Sequence, residues 1–247
     1  MLSPRIRAHG RAFAHIAAFH PELTAFRRDL HAHPEIGFEE HYTAQRVVES
    51  LKVCGVDEIH NGIGKTGVVA VIHGQRRESG RMIGLRADMD ALPIEEANTF
   101  EHRSRNERRM HACGHDGHTA MLLGAARHLA ATRQFDGGVV FIFQPAEEGG
   151  AGAQKMIDDG LFERWPCAAV YAMHNWPGLK VGQFGFNPGP LMASGNLFEI
   201  RIKGKGAHAA LPHLGVDPVM VAVQVAQGLQ TIVTRAKKPI DAAVLSI

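Results

Sequence analysis

The chain has 247 residues, 45% of them hydrophobic, enough to bury a substantial core in one large domain or two smaller ones. Lys and Arg total 27 against 25 for Asp and Glu, and the formal net charge of +2 gives no electrostatic case for nucleic acid as the main partner. The three cysteines, Cys54, Cys113 and Cys167, form no CxxC pair, which argues against a disulfide framework and favours a reducing, cytoplasmic setting.

Residues 1–21 carry Arg5, Arg7 and Arg11 and no acidic side chain, as transit peptides do, but a plain N-terminal extension is the simpler reading. Phe13 to Phe19 is too short and too interrupted by His15 for a signal sequence. No apolar run approaches the roughly 20 residues that cross a bilayer, so no membrane partner is expected. The pattern predicts a helix from Pro21 to His31, with Pro21 in its first turn and Pro34 ending it. A second amphipathic helix, Thr43 to Cys54, is closed by Gly55. Short apolar runs at Gly67 to Ile72, Met82 to Ala87, Val139 to Phe143 and Ala168 to Met173 have the composition of buried strands. A helix from His118 to Ala131 lies between the second and third of these. Strands separated by helices imply an α/β fold, a largely parallel sheet with helices on both faces. After Asn187-Pro188-Gly189-Pro190 the character changes. A strand from Asn196 to Lys203, a helix from about Asp217 to Ala236 and a strand from Ala242 to Ile247 form a smaller α+β unit. The expected domains are therefore 1–190 and 191–247.

In parallel α/β sheets ligands gather at the carboxyl ends of strands. Asp88 and Asp90 follow one predicted strand, Glu147 and Glu148 the next, and His174 the last. The segment Met110-His111-Ala112-Cys113-Gly114-His115-Asp116-Gly117-His118 adds a thiol and imidazoles around two glycines. A thiolate and a neutral imidazole are good ligands for Zn²⁺, and the glycine between Cys113 and His115 lets both turn toward one ion. Each residue alone has a bland reading: Glu147-Glu148 as a surface pair, Cys113 as a buried inert thiol, His174 as a hydrogen-bonded strand end. Their joint appearance carries the metal reading, since a site needs three or four such groups. Held between Pro145 and Gly149-Gly150, adjacent glutamates can point different ways, one to a metal and one toward an attacking water as base. His111 and His118 fit as orienting partners or helix caps. The residues alone thus point to a metal-dependent hydrolase. Arg103, Arg105, Arg108 and Arg109 read as a solvated loop, although beside such a site they would also attract an anionic substrate.

Other motifs fail. Gly64-Lys65-Thr66 ends like a P-loop, but Ile59 stands where its first glycine belongs and a strand follows. His31-Ala32-His33 resembles the HxH of barrel amidohydrolases, yet lies at a helix end. Gly204-Lys205-Gly206 lacks the third glycine of a dinucleotide site.

Five motifs in order, LRADMDALPI (Leu85 to Ile94), MHACGHDGHTAMLLGAA (Met110 to Ala126), FQPAEEGGAGA (Phe143 to Ala153), MHNWPG (Met173 to Gly178) and GAHAALPHLGVDPV (Gly206 to Val219), resemble the M20 metallopeptidase family, in its branch of hippurate hydrolases and N-acyl-amino-acid amidohydrolases. The resemblance runs from about Phe26 to the last residue. It implies a zinc-exopeptidase-like catalytic domain and the first part of a ferredoxin-like satellite domain that mediates homodimerisation. It further implies two divalent ions, Zn²⁺ or Mn²⁺ with Co²⁺ or Ni²⁺ as alternatives, held by Cys113, His115, Glu148 and His174. Glu147 would be general base and acid, Asp90 the acidic residue behind the ligands, and His208 the group that reaches the partner subunit's site to stabilise the oxyanion. Asp88 stands where sister branches carry a ligand histidine. Arg108 and Ala207 replace usual glycines, which matters where φ must be positive. Family members are longer, with a last metal-binding histidine beyond the matching region, so the expectation is the N-terminal portion of an N-acyl-amino-acid amidohydrolase. The alternative is an inactive metal-binding or dimerising remnant of one.

Overall fold

A computed structural model describes residues 4–189, 191–192 and 194–247. The chain divides into two compact units, Met1–Leu179 and Lys180–Ile247.

In the first unit helix α1 spans Pro4–Ala32 and α2 His41–Cys54, followed by strands β1 Glu58–Ile63, β2 Gly67–His73 and β3 Met82–Asp88. Helix α3 runs His115–Thr132, β4 Gly138–Gln144, α4 Gly152–Asp158, α5 Leu161–Arg164 and β5 Val170–Ala172. The sheet order is β1-β2-β4-β3-β5. β3 pairs in parallel with β4 and β5, while β2 pairs antiparallel with both β1 and β4. The sheet is thus mixed, with its parallel part confined to the strands that carry the acidic and histidine motifs.

Alternation along the central strands explains the two layers. Val68, Ala70, Ile72, Val139, Phe141 and Phe143 face a core shared with α1, α2 and α3. Val69, Val71, Val140 and Ile142 face the opposite core, closed by Met156 of α4, Leu161 of α5 and Trp165. Burial on both faces accounts for the continuous apolar runs of β2 and β4.

α1 is longer than its predicted span. Pro21 lies inside it rather than in its first turn, because the apolar stripe Phe19, Leu23, Phe26, Leu30 continues through the proline at helical spacing. The lost backbone bond to Ala17 is outweighed by that packing. α2 ends as expected, with Gly55 at φ 71° and its N–H on the Lys52 carbonyl. β1 escaped prediction because its sequence, EIHNGI, is half polar and lies at the sheet edge. The Gly64-Lys65 pair forms the β1–β2 hairpin turn, at φ 66° and 80°.

In the second unit α6 spans Pro218–Arg235 and is capped by Asp217, whose Oδ1 accepts the Val219 N–H at 2.9 Å. The expected strands at Asn196–Lys203 and Ala242–Ile247 are not formed: neither stretch has a ladder partner among the described residues. Lys205 and Val216 pair across the Gly-rich turn. Among the described residues no helix is long and apolar enough to cross a membrane.

Candidate metal centre

The parallel register sets the site. Asp88 pairs with Gln144 and Arg86 with Ala172, so β3, β4 and β5 deliver the segments that follow them to one edge. There the N-terminus of α3 brings Cys113 and His115. Gly114 sits between them at φ 95°, and a Cβ on it would lie 2.5 Å from Asn175 Oδ1. Only glycine lets these two ligand-type side chains turn the same way while the His174-Asn175 loop closes over them.

Cys113 Sγ lies 3.4 Å from His174 Nε2. His174 Nδ1 donates to the Asn175 carbonyl at 2.6 Å, so Nε2 carries the lone pair. His115 is fully buried, and its Nδ1 donates to Asp90 Oδ1 at 3.2 Å. Its Nε2 has no hydrogen-bond partner and faces Asp88 Oδ2 at 3.7 Å, Glu148 Oε1 at 3.8 Å and Glu147 Oε2 at 4.0 Å. A buried lone pair among three carboxylates is repelled by every neighbour unless a proton or a metal cation sits between them. The donor set therefore fits a metal. Ligand atoms within 4.8 Å of one another form the groups Cys113-His115-His174, His115-Glu147-Glu148 and Asp88-His115-His118, with His115 common to all three.

Charge tells the same story. Burial, with Glu148, Asp88 and Glu147 adding to it, pushes the Cys113 thiol up to about 12. Burial opposes protonation of His115, but Asp90, Asp88 and Glu148 raise its pKa nonetheless. Burial also works against an ionised Asp88, yet the hydrogen bond from His118 and the charges of His115 and Arg86 lower it to about 2. A divalent cation would reverse the pressure on the thiol and make it a thiolate ligand.

Asp90 Oδ2 accepts the Glu148 N–H at 2.9 Å, so one carboxylate orients both His115 and the glutamate loop. His118 Nδ1 donates to Asp88 Oδ1 at 2.6 Å, and its Nε2 accepts the Asn175 N–H at 3.0 Å. It thereby ties the β3 end to the His174 loop. Asp88, expected with Asp90 among the strand-end residues, thus lies at the site as well. His111 is buried with neither ring nitrogen partnered, and burial lowers its pKa to about 4, so it is neutral. His208 belongs to the second unit, where its ring is exposed and its Nδ1 accepts the Ala210 N–H at 3.2 Å. The structure brings Cys113, His115, Glu147, Glu148, His174 and Asp90 together in the first unit.

Residues 84–244 match the model of peptidase family M20/M25/M40. An N-acetylcysteine deacetylase from Bacillus subtilis is 45% identical over 93% of this chain and 60% of its own length. A hippurate hydrolase from Campylobacter jejuni is 44% identical over 92% of this chain and 58% of its own. The crystal structure of a dinuclear metal-binding peptidase of the M20 family from Bacillus subtilis matches with a TM-score of 0.66 at 44% identity, over 71% of this chain and 48% of that one. The chain spans less than two thirds of the length of these relatives.

Proposed function

The chain belongs to peptidase family M20/M25/M40, and from that premise we propose that it carries the metal-holding and proton-transferring part of an amidohydrolase that cleaves the amide bond of N-acyl or N-aroyl amino acids. The observation that carries this reading is the unpartnered, buried Nε2 of His115 facing three carboxylates. Cys113, His115, Glu148 and His174 would hold two divalent ions, Zn²⁺ or Mn²⁺, with Co²⁺ or Ni²⁺ as alternatives. Bound there, such ions supply Lewis acidity toward the amide carbonyl and acidify water.

The chain's own groups supply the rest. Glu147, the more exposed of the adjacent pair at 37% against 25% for Glu148, takes the proton of the attacking water on its carboxylate and returns it to the departing amide nitrogen. Asp90 accepts the Nδ1–H of His115 and thereby fixes the tautomer whose Nε2 lone pair is presented to the ions. In this reading residues 1–190 are the N-terminal part of the catalytic domain and 191–247 the first part of a satellite domain that forms a homodimer. His208 of one protomer then supports the oxyanion in the site of the other. The setting is cytoplasmic.

Metal analysis of the purified chain, paired with hydrolysis of hippurate and N-acetylcysteine, tests the reading. Bound divalent metal is expected, two ions in the complete subunit, lost in His115→Ala and kept in Glu147→Ala, with any wild-type turnover abolished in both variants. Metal content unchanged by His115→Ala would sink it.

A further inference from the structure

Glu40 is acidic and stands at the N-cap of α2, where a carboxylate ordinarily accepts the helix's own free amides, yet its side chain makes no such bond. It turns inward instead and is 0% exposed. One oxygen accepts the Ala146 N–H at 2.8 Å and the other accepts the Thr66 hydroxyl. No basic side chain among the described residues forms an ion pair with it. A carboxylate buried against a sheet among neutral donors alone is an unfavourable placement, and burial raises its pKa; the residue it grips explains the placement.

Ala146 immediately precedes Glu147 and Glu148. It too is fully buried, and it holds the left-handed conformation at φ 48°, which an alanine adopts only under constraint. Glu40 fixes its amide, and the Gly152 N–H fixes its carbonyl at 3.0 Å. The same stretch of chain reaches the other acidic loop: the Ala91 N–H donates to the Glu35 carbonyl at 2.7 Å, one residue beyond Asp90. Between these two anchors a Cβ on Gly37 would lie 3.0 Å from Ala146 Cβ and 3.7 Å from Asp90 Oδ2. Residues 35–40 therefore brace both carboxylate-bearing loops from outside all the motifs that carry the metal ligands.

We propose that Glu40 is a positioning residue: by holding the Ala146 amide it sets the left-handed turn that brings Glu147 and Glu148 to His115 Nε2, and so tunes the metal position that Glu148 serves. This rests on the metal reading of the site given above.

Co²⁺ titration of the full chain tests the proposal, because the thiolate-to-cobalt charge-transfer band reports the Cys113 position while total stoichiometry reports both. Glu40→Gln keeps an oxygen for the Ala146 N–H, whereas Glu40→Ala removes it and Glu40→Asp withdraws it by one methylene. The expected result is wild-type-like binding in Glu40→Gln, and in Glu40→Ala and Glu40→Asp a roughly 10- to 100-fold loss of affinity for one Co²⁺ with the thiolate band retained. Thr66→Val, which leaves the Ala146 contact in place, is expected to lower the melting temperature without changing Co²⁺ affinity. Should Glu40→Ala fail to fold, Glu40→Asp carries the comparison. A wild-type chain that binds no Co²⁺ overturns the metal reading and this proposal with it. Co²⁺ bound by wild type, with affinity unchanged in folded Glu40→Ala or Glu40→Asp, overturns this proposal alone.

Discussion

His31 Nδ1, near the end of α1, lies 2.9 Å from Asp116 Oδ2 in the first turn of α3, and its Nε2 lies 3.1 Å from Glu96 Oε1. Ionised carboxylates cannot donate, so both ring nitrogens do, and the ring is an imidazolium held between two anions. The hydrogen bond to Asp116 raises its pKa against the opposing effect of burial, with Glu96 contributing further. A raised folded value means that the stabilisation is complete below the ordinary histidine range and is lost as pH rises through the folded pKa. His31→Gln is expected to cost roughly 3 kcal/mol at mildly acidic pH and clearly less at alkaline pH. Urea denaturation at the two conditions checks this, and an equal cost at both would contradict it.

Gly114 has two reasons to remain glycine, its φ of 95° and the Asn175 side chain at the place of a Cβ. Gly114→Ala is expected to lose about 1–2 kcal/mol from the left-handed backbone alone and to push the His174-Asn175 loop outward. Metal content should fall along with the melting temperature. Full metal occupancy in this variant would show that the loop does not depend on the close approach.

Asp90 gives one oxygen to His115 and the other to the Glu148 amide. Asp90→Asn keeps its size but puts an NH₂ where one of these donors must be accepted. Metal affinity is expected to drop roughly 10- to 100-fold with little change in the far-ultraviolet spectrum, measured by competition with a chromogenic chelator.

Arg108 stands at φ 53°, while Ala207 is not among the residues of positive φ. The two positions at which the family resemblance implies glycine therefore differ in consequence. Arg108→Gly is expected to gain about 0.5–1 kcal/mol, the relief of a left-handed side chain less the added freedom of the unfolded chain. Ala207→Gly is expected to gain nothing. Thermal melts of the two variants decide the matter.

The elements legible in the sequence were those whose burial leaves a periodic mark. β2 and β4 read as continuous apolar runs because both faces are covered, α2 as a stripe closed by Gly55, and α3 as a stripe over His118 to Ala131 within the observed His115–Thr132. α1 was legible only from Pro21 onward, since a proline weighs locally while the packing of Phe19 and Leu23 that overrides it comes from α3. The stretches 196–203 and 242–247 carry an alternating or apolar pattern, but alternation predicts a face, not a partner to bond with. Convergence of Glu147, Glu148 and His174 followed from strand ends, and that of Cys113 and His115 from the loop that opens α3. Asp88 with His118, and Glu40 with Ala146, did not: each pair lies far apart in sequence and depends on strand register or an inward rotamer that local composition does not encode.

The order of the strands has a last consequence for synthesis. β4 sits between β2 and β3 but leaves the ribosome after both. At roughly 5–20 residues per second, β3 waits some seconds with an open edge until β4 slides in as the wedge that joins the two halves of the sheet. The acidic loops of residues 88–90 and 147–148 first meet at that insertion, so the pocket that faces His115 Nε2 is completed only when the sheet closes.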